Sequence, residues 1–244
     1  MTIDGAWLLG SGGWIPTPQR QTCSALVRAG DGALLIDAGT GIGHLQRHPE
    51  LLDGVTQLDL VLTHFHLDHV VGFAYLPATP RVFAPGQLHF GEPSEQLLTR
   101  LVGAPFLGGQ APWREVVEIE TDMITTAVGE VRLRRQDRHA CPTLGIRIGD
   151  DLAYCTDTAF DEGTAAFADG VRVLAHEGWW HEADPQHVDN HASGAEAAEL
   201  ARIAGVQELV LIHVHPLGDP AAVEADARAV FPSSRLGEDL LRIV

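Results

Sequence analysis

Five short apolar runs in this chain each stop at an imidazole or a carboxylate. Ala33-Leu34-Leu35-Ile36 runs into Asp37, and Leu58-Asp59-Leu60-Val61-Leu62 into Thr63 and His64. Leu152-Ala153-Tyr154-Cys155 runs into Thr156 and Asp157, Val171 to Ala175 into His176, and Leu209 to Ile212 into His213. Runs this short, bounded by polar residues, read as buried strands rather than helices. Residues placed for packing alone would fall at both ends of such strands. Their collection at the carboxyl ends predicts one sheet edge that carries a polar site, where open α/β sheets hold their ligands.

The densest of these sites is Thr63-His64-Phe65-His66-Leu67-Asp68-His69, with three imidazoles and a carboxylate in H-x-H-x-D-H order. A lone histidine here would read as a turn cap. Four donors so close together read as a metal site, because neutral imidazole and carboxylate are the donors that borderline divalent ions take. A His/Asp set without cysteine suits zinc and admits manganese or iron. Asp37, followed by Ala38-Gly39-Thr40-Gly41, faces the same edge and is expected to hold the metal loop in place.

Further strands are expected at Ala6–Leu9, Cys23–Arg28, Arg81–Ala84, Val116–Ile119, Met123–Val128, Val131–Arg135 and Leu144–Ile148. The turn Gly30-Asp31-Gly32 joins Cys23–Arg28 to the run Ala33 to Ile36. Thr40 reads as the cap of a helix through Leu45 to about Leu52, and Ser94 as the cap of one to Leu101. Val70 to Leu76 reads as a short helix or turn, and Ser193 to Ala204 and Pro220 to Val230 as later helices. The glycines of Gly10-Ser11-Gly12-Gly13 allow positive φ or a close backbone approach. Residues 103–112 read as a loop that closes over the site or packs irregularly. Early strands, then a capped helix after about every second strand, predict an α/β fold: a four-layer αβ/βα sandwich of two mixed sheets with helices outside, one domain over residues 1–244.

Composition narrows the function. A formal net charge of −17 repels long nucleic acid. The densest basic run, Arg132 to Arg138, alternates and so lies along one strand face. No apolar run approaches the roughly 18 residues of a membrane span, and the first residues lack a signal-peptide pattern. A cytoplasmic protein without a membrane partner is expected. Cys23, Cys141 and Cys155 make no disulfide framework and fit a reducing compartment.

The motifs together resemble the metallo-β-lactamase-fold hydrolases, and within them the ribonuclease Z-like branch. Leu9-Gly10-Ser11-Gly12 through Pro16, with Arg20 to Ser24, is similar to that branch's N-terminal signature. Asp37-Ala38-Gly39 is similar to its first acidic motif, and His64 to His69 to its hallmark. His139 with Pro142-Thr143-Leu144-Gly145, Asp157 and His213 resemble the remaining motifs. The resemblance implies two divalent ions: His64, His66 and His139 on the first, Asp68, His69 and His213 on the second, and Asp157 bridging. It also implies that Glu177 and His191 meet the scissile phosphate, His191 protonating the leaving group, and that a homodimer is possible. Only 17 residues lie between His139 and Asp157, so the long tRNA-clasping arm of the tRNA-trimming enzymes does not fit there.

Two divalent ions, two aspartates and a bridging hydroxide leave a site of about +1, which favours a small anionic substrate. The expected activity is hydrolysis of a small or nucleotide-like phosphodiester by that hydroxide, with Asp68, Glu177 and His191 as the catalytic set. The alternatives are a lactonase, thioesterase or arylsulfatase-like hydrolase of the same fold. A tRNA 3′-end endonuclease and a non-catalytic metal-binding relative come after these. Trp179 and Trp180, between Glu177 and His191, either stack on a substrate ring or pack beneath the site.

Overall fold

The computed structural model describes residues 2–104, 107, 111–184 and 189–244. The first sheet holds six strands in sequence order: β1 (Gly5–Gly10), β2 (Ser24–Ala29), β3 (Gly32–Ile36), β4 (Gln57–Val61), β5 (Arg81–Ala84) and β6 (Glu115–Glu118). β2 is antiparallel to its neighbours β1 and β3, and β3 to β6 run parallel. The second sheet holds β7 (Met123–Thr126), β8 (Gly129–Gln136), β9 (Thr143–Ile148), β10 (Leu152–Cys155), β11 (Val173–Glu177), β12 (Glu208–Ile212) and β13 (Ser234–Leu236). It repeats the plan: β7 to β10 are antiparallel and β10 to β13 parallel.

Strand alternation builds the layers. Leu34, Ile36 and Val61 of the first sheet meet Ile146, Tyr154, Val210 and Ile212 of the second in one buried cluster between the sheets. The intervening residues, Ala33, Leu35, Leu60 and Leu62, face outward onto Ile42, Leu45, Phe73, Leu98 and Val102. On the far side, Leu174, Leu209 and Leu211 face Ala197, Leu200, Ala201 and Val223. Period-two side-chain alternation with both faces apolar gives strands covered on both sides, as parallel segments require. The four-layer αβ/βα sandwich expected from the sequence is the observed fold.

Several local expectations are corrected. The helix expected from Thr40 to Leu52 is three short pieces, a 3-10 turn at Thr40–Gly43, an α turn at His44–Arg47 and a 3-10 turn at Pro49–Leu52. Gly41, Gly43 and Pro49 punctuate the segment. Thr40 caps none of them; its hydroxyl accepts from the Thr22 amide at 2.9 Å. Ser94 lies inside its helix, Ser94–Val102, after the Pro93 cap. Its hydroxyl instead accepts from Gly86 N (2.8 Å) and donates to the Ala84 carbonyl (3.0 Å), tying the helix to the end of β5. Ser193 does cap Gly194–Ala204, in a reciprocal pair with Glu196. The helices Gly86–Phe90 and Glu162–Phe167 and strand β13 were not expected. Half of the 103–112 segment, expected as a loop that closes over the site or packs irregularly, lies outside the described residues. Residues 140–156 form β9, a turn and β10. Among the described residues no helix is long and apolar enough to cross a membrane.

Candidate metal centre

Four strands of the two sheets deliver the polar cluster from their carboxyl ends: β3 leads to Asp37, β4 to His64, β10 to Asp157 and β12 to His213. Three of these residues leave their strand with positive φ: Asp37 (58°), Asp157 (52°) and His213 (50°). This left-handed conformation costs a non-glycine residue roughly 1–2 kcal/mol and is concentrated where a site over-determines the backbone.

The cluster contains two donor sets. His64, His66, His139 and Asp157 each present one donor atom within 4.8 Å of the others, and so do Asp68, His69 and His213. Asp157 lies between the sets, its carboxylate 3.9 Å from His64 Nε2, 3.7 Å from His139 Nε2, 3.2 Å from His69 Nε2 and 3.3 Å from His213 Nε2. All seven residues singled out as ligands from the sequence therefore converge. Asp157, His191 and His213 form a third group by the same distance.

The outer nitrogens are anchored. His69 Nδ1 meets Asp37 Oδ2 at 2.8 Å, His64 Nδ1 meets the Thr63 hydroxyl at 3.0 Å, and His139 Nδ1 donates to the Asn190 carbonyl at 3.0 Å. Asp37 also accepts from the Thr63 amide (2.7 Å) and hydroxyl (2.8 Å). The loop-holding role expected of Asp37 is thus visible as contacts. By contrast, Nε2 of His64 and of His69 is fully buried and makes no hydrogen bond. A buried imidazole nitrogen without a partner is costly unless something else binds it, and these two face the same carboxylate. Imidazoles anchored through one nitrogen and bare at the other are what a metal ion requires. The residues present fit a divalent ion in each set.

The electrostatics show the same demand for positive charge. Burial alone would raise the Asp157 carboxyl, but His213, His69 and His64 outweigh it and hold it well below the usual carboxylate range. Asp68 is likewise pushed up by burial and pulled far down by His69 and His213. Burial pushes His69 and His213 down, yet the surrounding carboxylates, Asp157 first, raise both well above the ordinary imidazole value. Burial and the neighbouring His69 drive His64 down.

Beside the donors, Glu177 is completely buried at the end of β11. Its Oε2 lies 2.7 Å from His191 Nδ1, and its Oε1 accepts from the Thr158 amide. Burial pushes this carboxyl up, but His191 pulls it down to about 2. His176, grouped with the strand-end donors in the sequence, is not part of the site. It sits one residue before Glu177 and pairs in register with Cys155 and Leu211, both of which face the outer helices. The pleat turns it away, and its Nδ1 donates to the Glu177 carbonyl at 2.9 Å.

Sequence reading singled out neither Asn190 nor His215 as neighbours of the site, and it left the contacts of Trp179, Trp180, Cys141 and the Gly10–Gly13 loop open. Trp179 stacks on His191 (ring centroids 4.5 Å, 16°) and His213 (4.9 Å, 25°), which supports the packing alternative for that residue. Trp180 stacks on His215 instead. Cys141 Sγ lies 3.6 Å from His66 Nε2. Gly13 is the close approach that the Gly10–Gly13 loop implied. A methyl there would lie 2.5 Å from the Trp179 ring and 2.6 Å from His213 Cε1. Gly13→Ala must displace one of these rings. A misplacement near 1 Å costs on the order of 10²-fold in rate, so that loss in kcat/KM is expected, while Gly43→Ala, whose added methyl meets nothing within 4 Å, stays within about twofold of the parent. Equal losses in the two variants would refute the packing argument.

A family profile of the β-lactamase superfamily domain matches residues 33–214. The chain belongs to the β-lactamase superfamily and is ribonuclease Z-like within it. A ribonuclease Z from Mycolicibacterium gilvum is 32% identical over 273 residues, covering 97% of this chain and 94% of the relative. Among solved structures, the metallo-β-lactamase-fold protein YhfI from Bacillus subtilis superposes with a TM-score of 0.80 at 19% identity, over 99% of each chain. A diphosphatase of the PhnP family superposes with a TM-score of 0.73 at 18% identity, over 98% of this chain and 96% of the other.

Proposed function

We propose that this hydrolase is a dinuclear metal-dependent phosphodiesterase acting on a small, nucleotide-like diester. The observation that carries the reading is the Glu177–His191 pair, set against the two donor sets in one cavity of about 220 Å³. The alkoxide of an alkyl phosphodiester leaves only with a proton, which a placed acid supplies, whereas the thiolate of a thioester and the phenolate of an aryl sulfate leave without one. The relatives that are a ribonuclease and a diphosphatase by name support the same chemistry.

His64, His66 and His139 would hold one ion, Asp68, His69 and His213 the other, with Asp157 between them; zinc suits this set best. Two ions there would supply Lewis acidity, polarising the phosphoryl group and making water acidic enough to ionise near neutral pH. Asp37 and Thr63 fix the imidazoles of His69 and His64, so the donors need no reorganisation during reaction. Glu177 holds His191 through Nδ1, and proton transfer to the leaving oxygen then falls to Nε2. The absence of an arm between His139 and Asp157, together with the −17 charge, favours a small substrate over a long polynucleotide.

The test is a substrate panel on the zinc-loaded protein: bis(p-nitrophenyl) phosphate, an aryl sulfate, a lactone and a thioester. The diester is expected to be cleaved fastest. His191→Ala should lower kcat on an alkyl-leaving-group diester by about 10²- to 10⁴-fold, the range for a general acid. Its effect on the nitrophenyl diester should be much smaller, because nitrophenolate leaves without a proton. Preferred cleavage of a sulfate ester or lactone would overturn the reading.

A further inference from the structure

Trp14 has a backbone and a side chain that packing does not explain. Its φ is 60°, in the left-handed region where a bulky residue is an outlier. The residue is 56% exposed, its ring meeting only His215 at 6.1 Å between centroids among the described ring pairs, whereas Trp113, Trp179 and Trp180 are each no more than 7% exposed. The strained backbone is fixed from both sides. The Trp14 amide donates to Asp68 Oδ2 at 2.8 Å, and the preceding Gly13 amide donates to the Val214 carbonyl at 3.1 Å. A chain that bears strain to hold an indole in water, on the lining of the cavity that also contains His66, Asp68, Asp157 and His191, places that ring for something outside itself.

The cavity is too small for a whole nucleotide. At about 220 Å³ it falls below the roughly 300–1,000 Å³ that encloses a drug-sized ligand. The phosphoryl group can enter among the donors, but the rest of the substrate must lie on the rim. Trp14, on the lining and largely exposed, is available there. An exposed indole on the lining of a polar cavity matches a substrate with a planar ring attached to an anionic group.

We propose that Trp14 is a specificity-determining residue whose indole face stacks on the base or aryl ring of the diester. The inference rests on the phosphodiesterase reading and names its substrate class more closely: phosphodiesters that carry a planar aromatic group, preferred over those that carry only sugar or alkyl groups.

Calorimetric titration of the zinc-loaded protein with adenosine 5′-monophosphate and with ribose 5-phosphate tests it. These probes share the phosphate and sugar and differ in the base. The parent protein is expected to bind the adenosine probe at least about fivefold more tightly, the lower end of what a stacked base contributes. Trp14→Asn and Trp14→Gly remove the ring, and both residues adopt the left-handed backbone readily. In both, the ratio of the two affinities should fall to about 1, and Trp14→Phe should lie between. Equal affinities in the parent, or a ratio unchanged in both ring-less variants, would overturn the role of Trp14 while leaving the phosphodiesterase reading in place. Binding of neither probe, together with no cleavage of bis(p-nitrophenyl) phosphate, would remove the phosphodiesterase reading and this inference with it.

Discussion

Asp68→Ala is expected to cut kcat/KM for bis(p-nitrophenyl) phosphate by on the order of 10³-fold, since losing several kcal/mol of charge stabilisation converts at about 1.4 kcal/mol per tenfold. Asp68 is the only carboxylate in its donor set besides the shared Asp157, and its Oδ2 lies 3.3 Å from His213 Nε2 and 3.5 Å from His69 Nε2. Without it, those two imidazoles keep only one carboxylate to offset an ion's hydration. On the proposed dinuclear reading, the metal content should therefore drop from two ions per chain towards one. Asp68 is partly exposed and begins a single helical turn, Leu67–Val70, so the far-ultraviolet circular dichroism should not change. An Asp68→Ala protein that keeps two ions and cleaves within a few-fold of the parent would refute the assignment of the second donor set.

The second large effect is on stability. His64, His66, Asp68 and His69 follow β4 of the first sheet, whereas His139, Asp157 and His213 come from the second. An ion bound by both groups stabilises only the state in which the sheets are packed together. At a free concentration 1,000 times its dissociation constant, one such ion contributes about 4 kcal/mol. For a chain of this size that corresponds to about 8–16 °C in Tm. Chelation removes this and leaves Asp157, 2% exposed, without the ion's charge. Scanning calorimetry of the zinc-loaded and chelated protein should show the difference, and addition of zinc should restore it. Coincident melting curves would mean that no ion bridges the sheets.

The parts of this molecule that were legible in the sequence are those set by local pattern. The runs Ala33 to Ile36 and Leu209 to Ile212 announce themselves as strands because both faces are apolar, so each is short and unbroken; they deliver Asp37 and His213. The H-x-H-x-D-H cluster announces itself because nothing but a ligand keeps so many donors together. What was not legible depends on contacts far apart along the chain. Thr40 and Ser94 look like helix caps locally, but their hydroxyls are claimed by Thr22 and by Gly86 and Ala84. His176 has the residue type and strand position of a ligand; a one-residue difference in pleat sends it to the outer face and Glu177 to the inner one. Trp14 carries no periodic signal at all, and only its φ angle and its bond to Asp68 mark it out.

The left-handed backbone at Asp37, Asp157 and His213 has a bearing on engineering. Glycine would relax all three positions, so a thermostabilisation campaign guided by dihedral preference would select them first. Each such change would relieve backbone energy and delete a donor or the anchor of one. Durability and activity therefore compete directly at these strand ends, and tolerance to heat is better sought on the outer helices, away from the gap between the sheets.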